Sequence, residues 1–223
     1  MGMEKLSILG NDYVGAWVTA TDKFFLIGNM ASQGDERIIG KALGVDGIRA
    51  MVGGSGLIGI YVAANTKGIL LPYGTEEREL DAIRQALQGL QVEIFHTSHN
   101  ALKNNILAND KLAIINPNYD AAEEKKIADI LDVETVRLST GGFSTVGANN
   151  IMTNKGFVLN NRASDEEHRK VEEVFGKSVE QSTANRGAVS IGICTIANSN
   201  GLVVGQLTTG FEMARIAGSL EIE

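Results

Sequence analysis

The chain has 223 residues, 43% of them hydrophobic, with 26 Gly against 2 Pro and a formal net charge of −7. This is the composition of a globular chain rich in tight turns, and its acidity excludes a protein that grips nucleic acid through a basic surplus of its own. Basic protein partners are the expected route to any RNA-rich assembly. The single cysteine, Cys194, excludes an internal disulfide and fits a reducing compartment. No apolar run approaches the roughly 20 residues of a membrane span. The start, Met1-Gly2-Met3-Glu4-Lys5-Leu6, lacks the charged and apolar regions of a signal peptide. It also has Leu6 where a myristoylation signal needs Ser or Thr. A soluble, cytoplasmic chain is expected, with no membrane contact.

Taken in chain order, the predicted elements repeat. An apolar strand over 14–20 passes through a turn ending at Lys23 into a second strand over 24–27. Ser32 opens a helix, Gly44 closes it, and Ile48-Arg49-Ala50-Met51-Val52 follows. The series recurs with first strands at 57–63, 105–108, 147–152 and 189–197, and second strands at 69–71, 112–115, 157–159 and 202–204. Helices then start at Thr75, Asp120, Ser164 and Thr209. The residues closing the hairpins, Lys23, Lys67, Lys111, Lys155 and Asn200, are spaced by 44, 44, 44 and 45; the helix starts are spaced by 43, 45, 44 and 45.

The chemistry of each mark repeats too. The helix starts can accept from orphan backbone N–H groups. Asp120/Glu123, Ser164/Glu167 and Thr209/Glu212 have the spacing of a capping box. Apolar residues recur on one helical face at Leu80, Ile83, Ala86 and Leu87, at Ile127, Ile130 and Leu131, and at Val171, Val174 and Phe175. Gly44, Gly89, Gly176 and Gly218 follow helices as left-handed stops, and Asp132 takes that place once. Lys-Gly or Asn-Gly is expected to supply positive φ in the hairpins. The continuous apolar second strands imply burial on both faces.

One helix on a small mixed sheet cannot bury its own core, whereas five such units in a ring can. The prediction is an α/β fold: one ring domain over 1–223, with repeats near 1–53, 54–100, 101–144, 145–184 and 185–223. Leu6-Ser7-Ile8-Leu9 and Leu220-Glu221-Ile222 both suit the strand position that closes the fifth unit. The longer N-terminal stretch is expected to take it, leaving the last three residues with little effect on stability.

Several motifs could carry chemistry. Gly54-Ser55-Gly56-Leu57-Ile58-Gly59 matches G-x-G-x-x-G, but the residues after it read as a strand, whereas a dinucleotide loop must open a helix. His96 and His99 lack the further ligands a zinc site needs, so they read as loop residues; His168 reads as a solvated helix face. Cys194 lies in an alternating, strand-like run and reads as a small buried hydrophobe. No catalytic residue, cofactor or metal site is assigned. The loops before the first strands gather Asn, Arg and small residues: Asn11, Asp12 and Tyr13; Gly56 and Leu57; Asn104 and Asn105; Asn149; Asn185, Arg186 and Gly187. Repeat geometry puts these loops on one face, and loops on a rigid scaffold are where binding residues gather.

Gly10-Asn11-Asp12-Tyr13-Val14-Gly15, Ile69-Leu70-Leu71-Pro72 with Glu79-Leu80, Ala101-Leu102-Lys103-Asn104, Ala128-Asp129-Ile130-Leu131-Asp132-Val133-Glu134 and Thr183-Ala184-Asn185-Arg186-Gly187 resemble the translation initiation factor 6 family in its shorter archaeal form. The resemblance implies the pentein fold, a five-bladed α/β propeller. It implies a monomer that binds the large (50S) ribosomal subunit on its intersubunit side. Ribosomal protein uL14 would be the contact, with a uL24-like neighbour and the sarcin–ricin loop nearby. A factor bound there blocks joining of the small subunit, and eukaryotic relatives act in large-subunit maturation. The resemblance does not extend to the phosphorylated tail of the eukaryotic members. The pentein fold also hosts guanidino-group enzymes of the arginine deiminase and amidinotransferase type. That alternative would need Cys194 as nucleophile beside a His and carboxylates.

Overall fold

In the computed structural model, which describes residues 2–222, each predicted unit is a three-stranded sheet with one long helix. The middle strands are Phe24–Gly28, Gly68–Pro72, Leu112–Ile115, Phe157–Asn160 and Gly201–Gly205. Each pairs antiparallel with the inner strand before it: Val18–Ala20, Ala63–Ala64, Ile106–Ala108, Ile151–Met152 or Thr195–Asn198. The inner strands line the axis of the ring. On the other side each middle strand pairs parallel with an outer strand: Asp46–Ala50, Gln91–Phe95, Glu134–Arg137, Glu180–Ser182 and, in the fifth blade, Met3–Leu6.

The ring is therefore closed by the N-terminal strand, in register from Met3↔Leu202 to Leu6↔Gly205. That strand begins three residues before the stretch expected to fill the place. The C-terminal end is not idle, contrary to expectation. Ile222 is buried, and its N–H donates to Ala217 O at 3.0 Å.

Side chains alternate across each middle strand, and both faces are covered. Phe25 and Ile27 face the seam with the fifth blade, Phe24 and Leu26 the seam with the second. Five apolar seams result, each filled by a long helix. Ile39 and Leu43 fill the first, Leu80 and Ile83 the second, Ile127 and Leu131 the third, Val171 the fourth and Ile216 the fifth. Each such burial contributes about 1.5–3 kcal/mol. It exists only between blades, which is the physical reason for the ring.

The long helices are Gln33–Leu43, Glu77–Ala86, Ala121–Leu131, Asp165–Phe175 and Gly210–Ser219, and all five open on a capping box. Four caps fall on the predicted residues. In the second helix the cap is Glu76; the Thr75 hydroxyl instead donates to Pro72 O at 2.8 Å. Gly44, Asp132 and Gly176 close their helices in the left-handed conformation, whereas Gly218 lies inside the last helix and Leu220 caps it.

Two local readings of the sequence need correction. The first strands are shorter than predicted. Their opening residues form a 3-10 turn at Val14–Ala16 and four-residue helices at Ile58–Tyr61, Leu102–Asn105, Val146–Asn149 and Ile191–Cys194. Short apolar runs carry no period that separates strand from helical turn. The hairpin glycines, in turn, do not take positive φ. A Cβ on Gly68, Gly156 or Gly201 would lie 2.0 Å from Ile130 O, Ser219 O or Ala42 O, so they permit close approach of the next blade's helix end. The hairpins are turned by side chains instead. Asn65, Asn109 and Asn198 accept from the N–H groups two and three residues on. Their Nδ2 groups donate across to the next blade, to Asn109 O, Thr153 O and Thr21 O. Thr21 and Thr153 turn their hairpins with Oγ1. Among the described residues no helix is long and apolar enough to cross a membrane.

Candidate docking face

Strand direction defines two faces. Middle and outer strands are parallel, so the chain leaves both at one end of the ring, where the inner strands also begin. This loop face carries the turns at 9–10, 53–54, 141–142 and 185–187, bridged by Ile8↔Asn11, Val52↔Ser55, Thr140↔Phe143 and Ala184↔Ala188. The hairpin turns and the C-terminal ends of the long helices occupy the opposite face.

The turn residues take positive φ: Leu9 and Gly10, Gly53 and Gly54, Gly141 and Gly142, then Asn185, Arg186 and Gly187. Three turns are pinned by the third residue of a neighbouring helix. Glu79 accepts from Gly53 N at 2.7 Å and Gly54 N at 2.9 Å; Glu167 accepts from Gly141 N at 3.0 Å. Glu212 accepts from Gly187 N at 2.8 Å and Arg186 N at 3.2 Å. Since each also completes a capping box, one carboxylate both starts a helix and fixes a loop. Burial alone would raise the Glu212 pKa. Hydrogen bonds from Thr209 N–H, Thr183 Oγ1, Gly187 N–H and Thr209 Oγ1 overcome it and hold the carboxyl at about 2. Glu79 is lowered in the same way, burial being opposed by the N–H groups of Glu76, Gly54 and Gly53.

Arg186, like Leu9 and Asn185, carries a side chain where the other turn positions have glycine. Glycine takes positive φ freely, whereas a side chain there costs about 1–2 kcal/mol. Arg186 sits at φ +64° and its side chain is exposed. Such strain, held in place by its surroundings, concentrates at functional sites.

The structure gathers some of the predicted contact residues. Asn185 Nδ2 donates to Asp12 O at 2.8 Å, tying the fifth blade's turn to the first. Asn11 Oδ1 accepts from Tyr13 N at 2.8 Å. An open cleft of about 280 Å³ between the two turns is lined by Gly10, Asn11, Asp12, Tyr13, Asn185 and Leu207. Asn11, Tyr13, Arg186 and Gly187 are exposed.

The remaining predicted residues do not join this surface. Asn105 is 5% exposed and Asn149 2%. Asn105 donates to Ala101 O at 2.9 Å and accepts from Asn116 Nδ2 at 2.7 Å. Asn149 donates to Thr145 O at 2.8 Å and accepts from Ser190 Oγ at 2.9 Å. Both are internal braces. Gly56 is buried against Gly28, and Leu57 is a half-buried N-cap. Asn104 lies in an axial helix, half-buried with its Oδ1 unpaired. Counted from the helix caps Ala101 and Ser190, its counterpart in blade five is Ile193, not Arg186. The segment before it, 97–100, corresponds to the Arg186 turn.

Hydrophobic side chains are the contact feature that the sequence reading passed over. Of the eight exposed large hydrophobics among the described residues, Leu9, Tyr13, Met30, Tyr73, Leu207 and Phe211 lie on the loop face or at the helix start beside it, and Met3 and Ile38 lie elsewhere. Single exposed apolar residues are ordinary, but concentration on one face marks an interaction surface.

The other motifs resolve as packing. The Gly54–Gly59 stretch does open a helix, contrary to the strand expected, but that helix has four residues. A Cβ on Gly59 would lie 1.8 Å from Gly15 O, which leaves no space for a phosphate. His96 packs at a tilt against Tyr73, and His99 meets Tyr119 edge-on. His168 is not a freely solvated residue: its ring nitrogen lies 3.0 Å from Val179 O. Cys194 ends an axial helix, fully buried, rather than lying in a strand. Burial pushes its thiol up to about 12, with Glu212 and Asp12 adding to the rise and the Asn185 side chain opposing it.

Residues 3–219 of this ring match the eIF-6 family. The chain belongs to that family. It is 37% identical over 224 residues to translation initiation factor 6 of Pyrococcus abyssi (strain GE5 / Orsay), covering 99% of each chain. It is 36% identical to the factor of Thermoplasma acidophilum over 214 residues, 96% of this chain and 97% of that one. With the factor of Saccharolobus islandicus (strain L.S.2.15 / Lassen #1) the identity is 34% over 222 residues, 99% of each. The pentein-like fivefold ring expected of an eIF-6 chain is the architecture described above, and its place is in translation.

Proposed function

We propose that this eIF-6 chain binds the large ribosomal subunit through its loop face and so keeps the small subunit from joining. The observation that carries the reading is the one-sided distribution of exposed hydrophobics, centred on the Tyr13–Leu207 cleft and edged by the strained Arg186 turn. An acidic chain docks most readily on a basic protein surface, which favours uL14 as principal contact, with the uL24-like protein and the sarcin–ricin loop as neighbours. The factor acts as a soluble cytoplasmic monomer, and a part in large-subunit maturation fits the same binding mode.

The guanidino-enzyme alternative is disfavoured by Cys194. Its thiol is buried and held protonated at neutral pH, whereas a nucleophile must be a thiolate within reach of substrate. We therefore read the chain as a binding factor without catalysis.

Sedimentation with separated archaeal subunits tests the proposal. The chain should travel with large subunits and be absent from small subunits and joined ribosomes. Tyr13→Ala and Arg186→Ala should each weaken binding by roughly 1–3 kcal/mol. Lys126→Ala, on the helical rim over the Phe95 ring, should not. Equal recovery on both subunits, or loss of binding in the rim variant alone, would sink the assignment.

A further inference from the structure

The axial turns of four blades place a glycine against their neighbour: Gly15, Gly59, Gly147 and Gly192. A Cβ on these would fall 2.4, 1.8, 1.8 and 2.1 Å from a backbone oxygen of the adjoining turn. The third blade breaks the pattern, with Lys103 in that place. Its side chain lines a cavity of about 50 Å³ on the ring axis, among Val18, Ile106, Met152 and Ile196.

Among the described residues the half-buried Lys103 makes no ion pair, and it is the one charged residue lining the cavity. The polar groups in the wall are already engaged: Thr19 Oγ1 donates to Val62 O at 2.8 Å, Thr195 Oγ1 to Ile191 O at 2.7 Å, and Asn150 Nδ2 to Val146 O at 2.8 Å. The carboxylates on the axis, Asp22 and Asp110, stand at the hairpin end of the channel. Four residues separate Ile106 from Asp110, or roughly 13 Å of extended chain. Both acids are committed locally, bridged by Asn154 Nδ2 at 2.8 and 2.7 Å. Burial is the sole influence on the Lys103 amine and brings its pKa down to about 8, so it still carries charge at neutral pH.

A charge confined in so narrow a space is stabilised by a counter-charge. We propose that the axial cavity binds a small monovalent anion, a halide or a formate-sized carboxylate, against the Lys103 ammonium. A water needs about 10–15 Å³ of such space, so the cavity has room for a halide or a three-atom anion. The site lies inside the ring and does not depend on the docking face, so it is tested on the free protein.

Unfolding is followed by calorimetry in sodium chloride against sodium gluconate, whose anion is too large for the cavity, at one ionic strength and pH 7. Chloride should raise the midpoint saturably, by about 2–4 °C. The rise should fade as pH passes above 8 and the amine loses its proton. Lys103→Met should show no chloride response. Lys103→Gly restores the residue of the other four blades, so it should fold and likewise not respond. Crystals soaked in bromide should give an anomalous peak beside Lys103 Nζ. The same chloride response in both variants, no response in the native chain, or bromide only at exposed lysines, an adventitious ion only, overturns the proposal.

Discussion

Deleting residues 1–6 removes the strand that closes the ring, and the cost follows from the hydrogen bonds and burial which that strand supplies. Four residues, Met3 to Leu6, pair with Leu202 to Gly205. At about 0.5–1.5 kcal/mol net for each backbone hydrogen bond, four contribute roughly 2–6 kcal/mol. Leu6 is 7% exposed, and burying a leucine adds about 1.5–3 kcal/mol. The Lys5 ammonium also loses its bond to Thr208 O. The sum, about 3.5–9 kcal/mol, is of the order of a whole domain's stability, about 5–15 kcal/mol. The single tryptophan, Trp17, packs half-buried against the seam between blades five and one, so its fluorescence reports on the closure. Urea unfolding followed at Trp17 should show the truncated chain unfolded or with a much lower midpoint, and a synthetic peptide of residues 1–9 should restore part of the loss. A truncated chain within about 0.5 kcal/mol of the intact one would refute the reasoning.

Four further outcomes follow from the loop face and core. Arg186→Gly should raise stability by up to about 1 kcal/mol, the relief of positive φ offset by a more flexible unfolded chain, while weakening subunit binding at least about tenfold; thermal unfolding and sedimentation measure the two effects separately. Asn105→Ala should cost about 1–3 kcal/mol in chemical denaturation, because it leaves Asn116 Nδ2 buried and unpaired. The Glu212 pKa, about 2 when folded, lies below its ordinary value of 4.5, so its contribution is full above 4.5 and is lost as pH falls from there towards 2; acid titration of stability should therefore be steeper in the native chain than in Glu212→Gln. Iodoacetamide at pH 8 should leave Cys194 unmodified in the folded protein and alkylate it fully in urea, as mass spectrometry can read, because its thiol is buried and its pKa pushed to about 12.

The repeat was legible in the sequence wherever a position makes a strict chemical demand. Helix caps at Ser32, Asp120, Ser164 and Thr209 must accept backbone N–H groups, and continuous apolar strands must be covered on both sides. Those marks located the sheets and long helices. The axial helices were not legible, because four apolar or small residues have no period of their own. That miss displaced the expected contact residues. Asn104, Asn105 and Asn149 look like loop residues by type, but lie in the axial turns, where amides brace the backbone. The apolar half of the proposed docking face was hidden for another reason: Met30, Tyr73 and Leu207 are unremarkable one by one, and only the parallel pairing of the strands brings them to one side. Glu212 was recognised as a cap, but its second task at the Arg186 turn depends on a contact across 26 residues.

The order of synthesis gives the closing strand one more consequence. Residues 3–6 leave the ribosome nearly 200 residues before their partners at 201–205. At about 5–20 residues per second that is a wait of roughly 10–40 s. During the wait the outer strand has no sheet, and Leu6 and Ile8 have no seam. The last blade cannot form until residues 201–205 have cleared the exit tunnel, so closure is the final step of folding. A chain interrupted before residue 201 therefore has four blades and no closed ring.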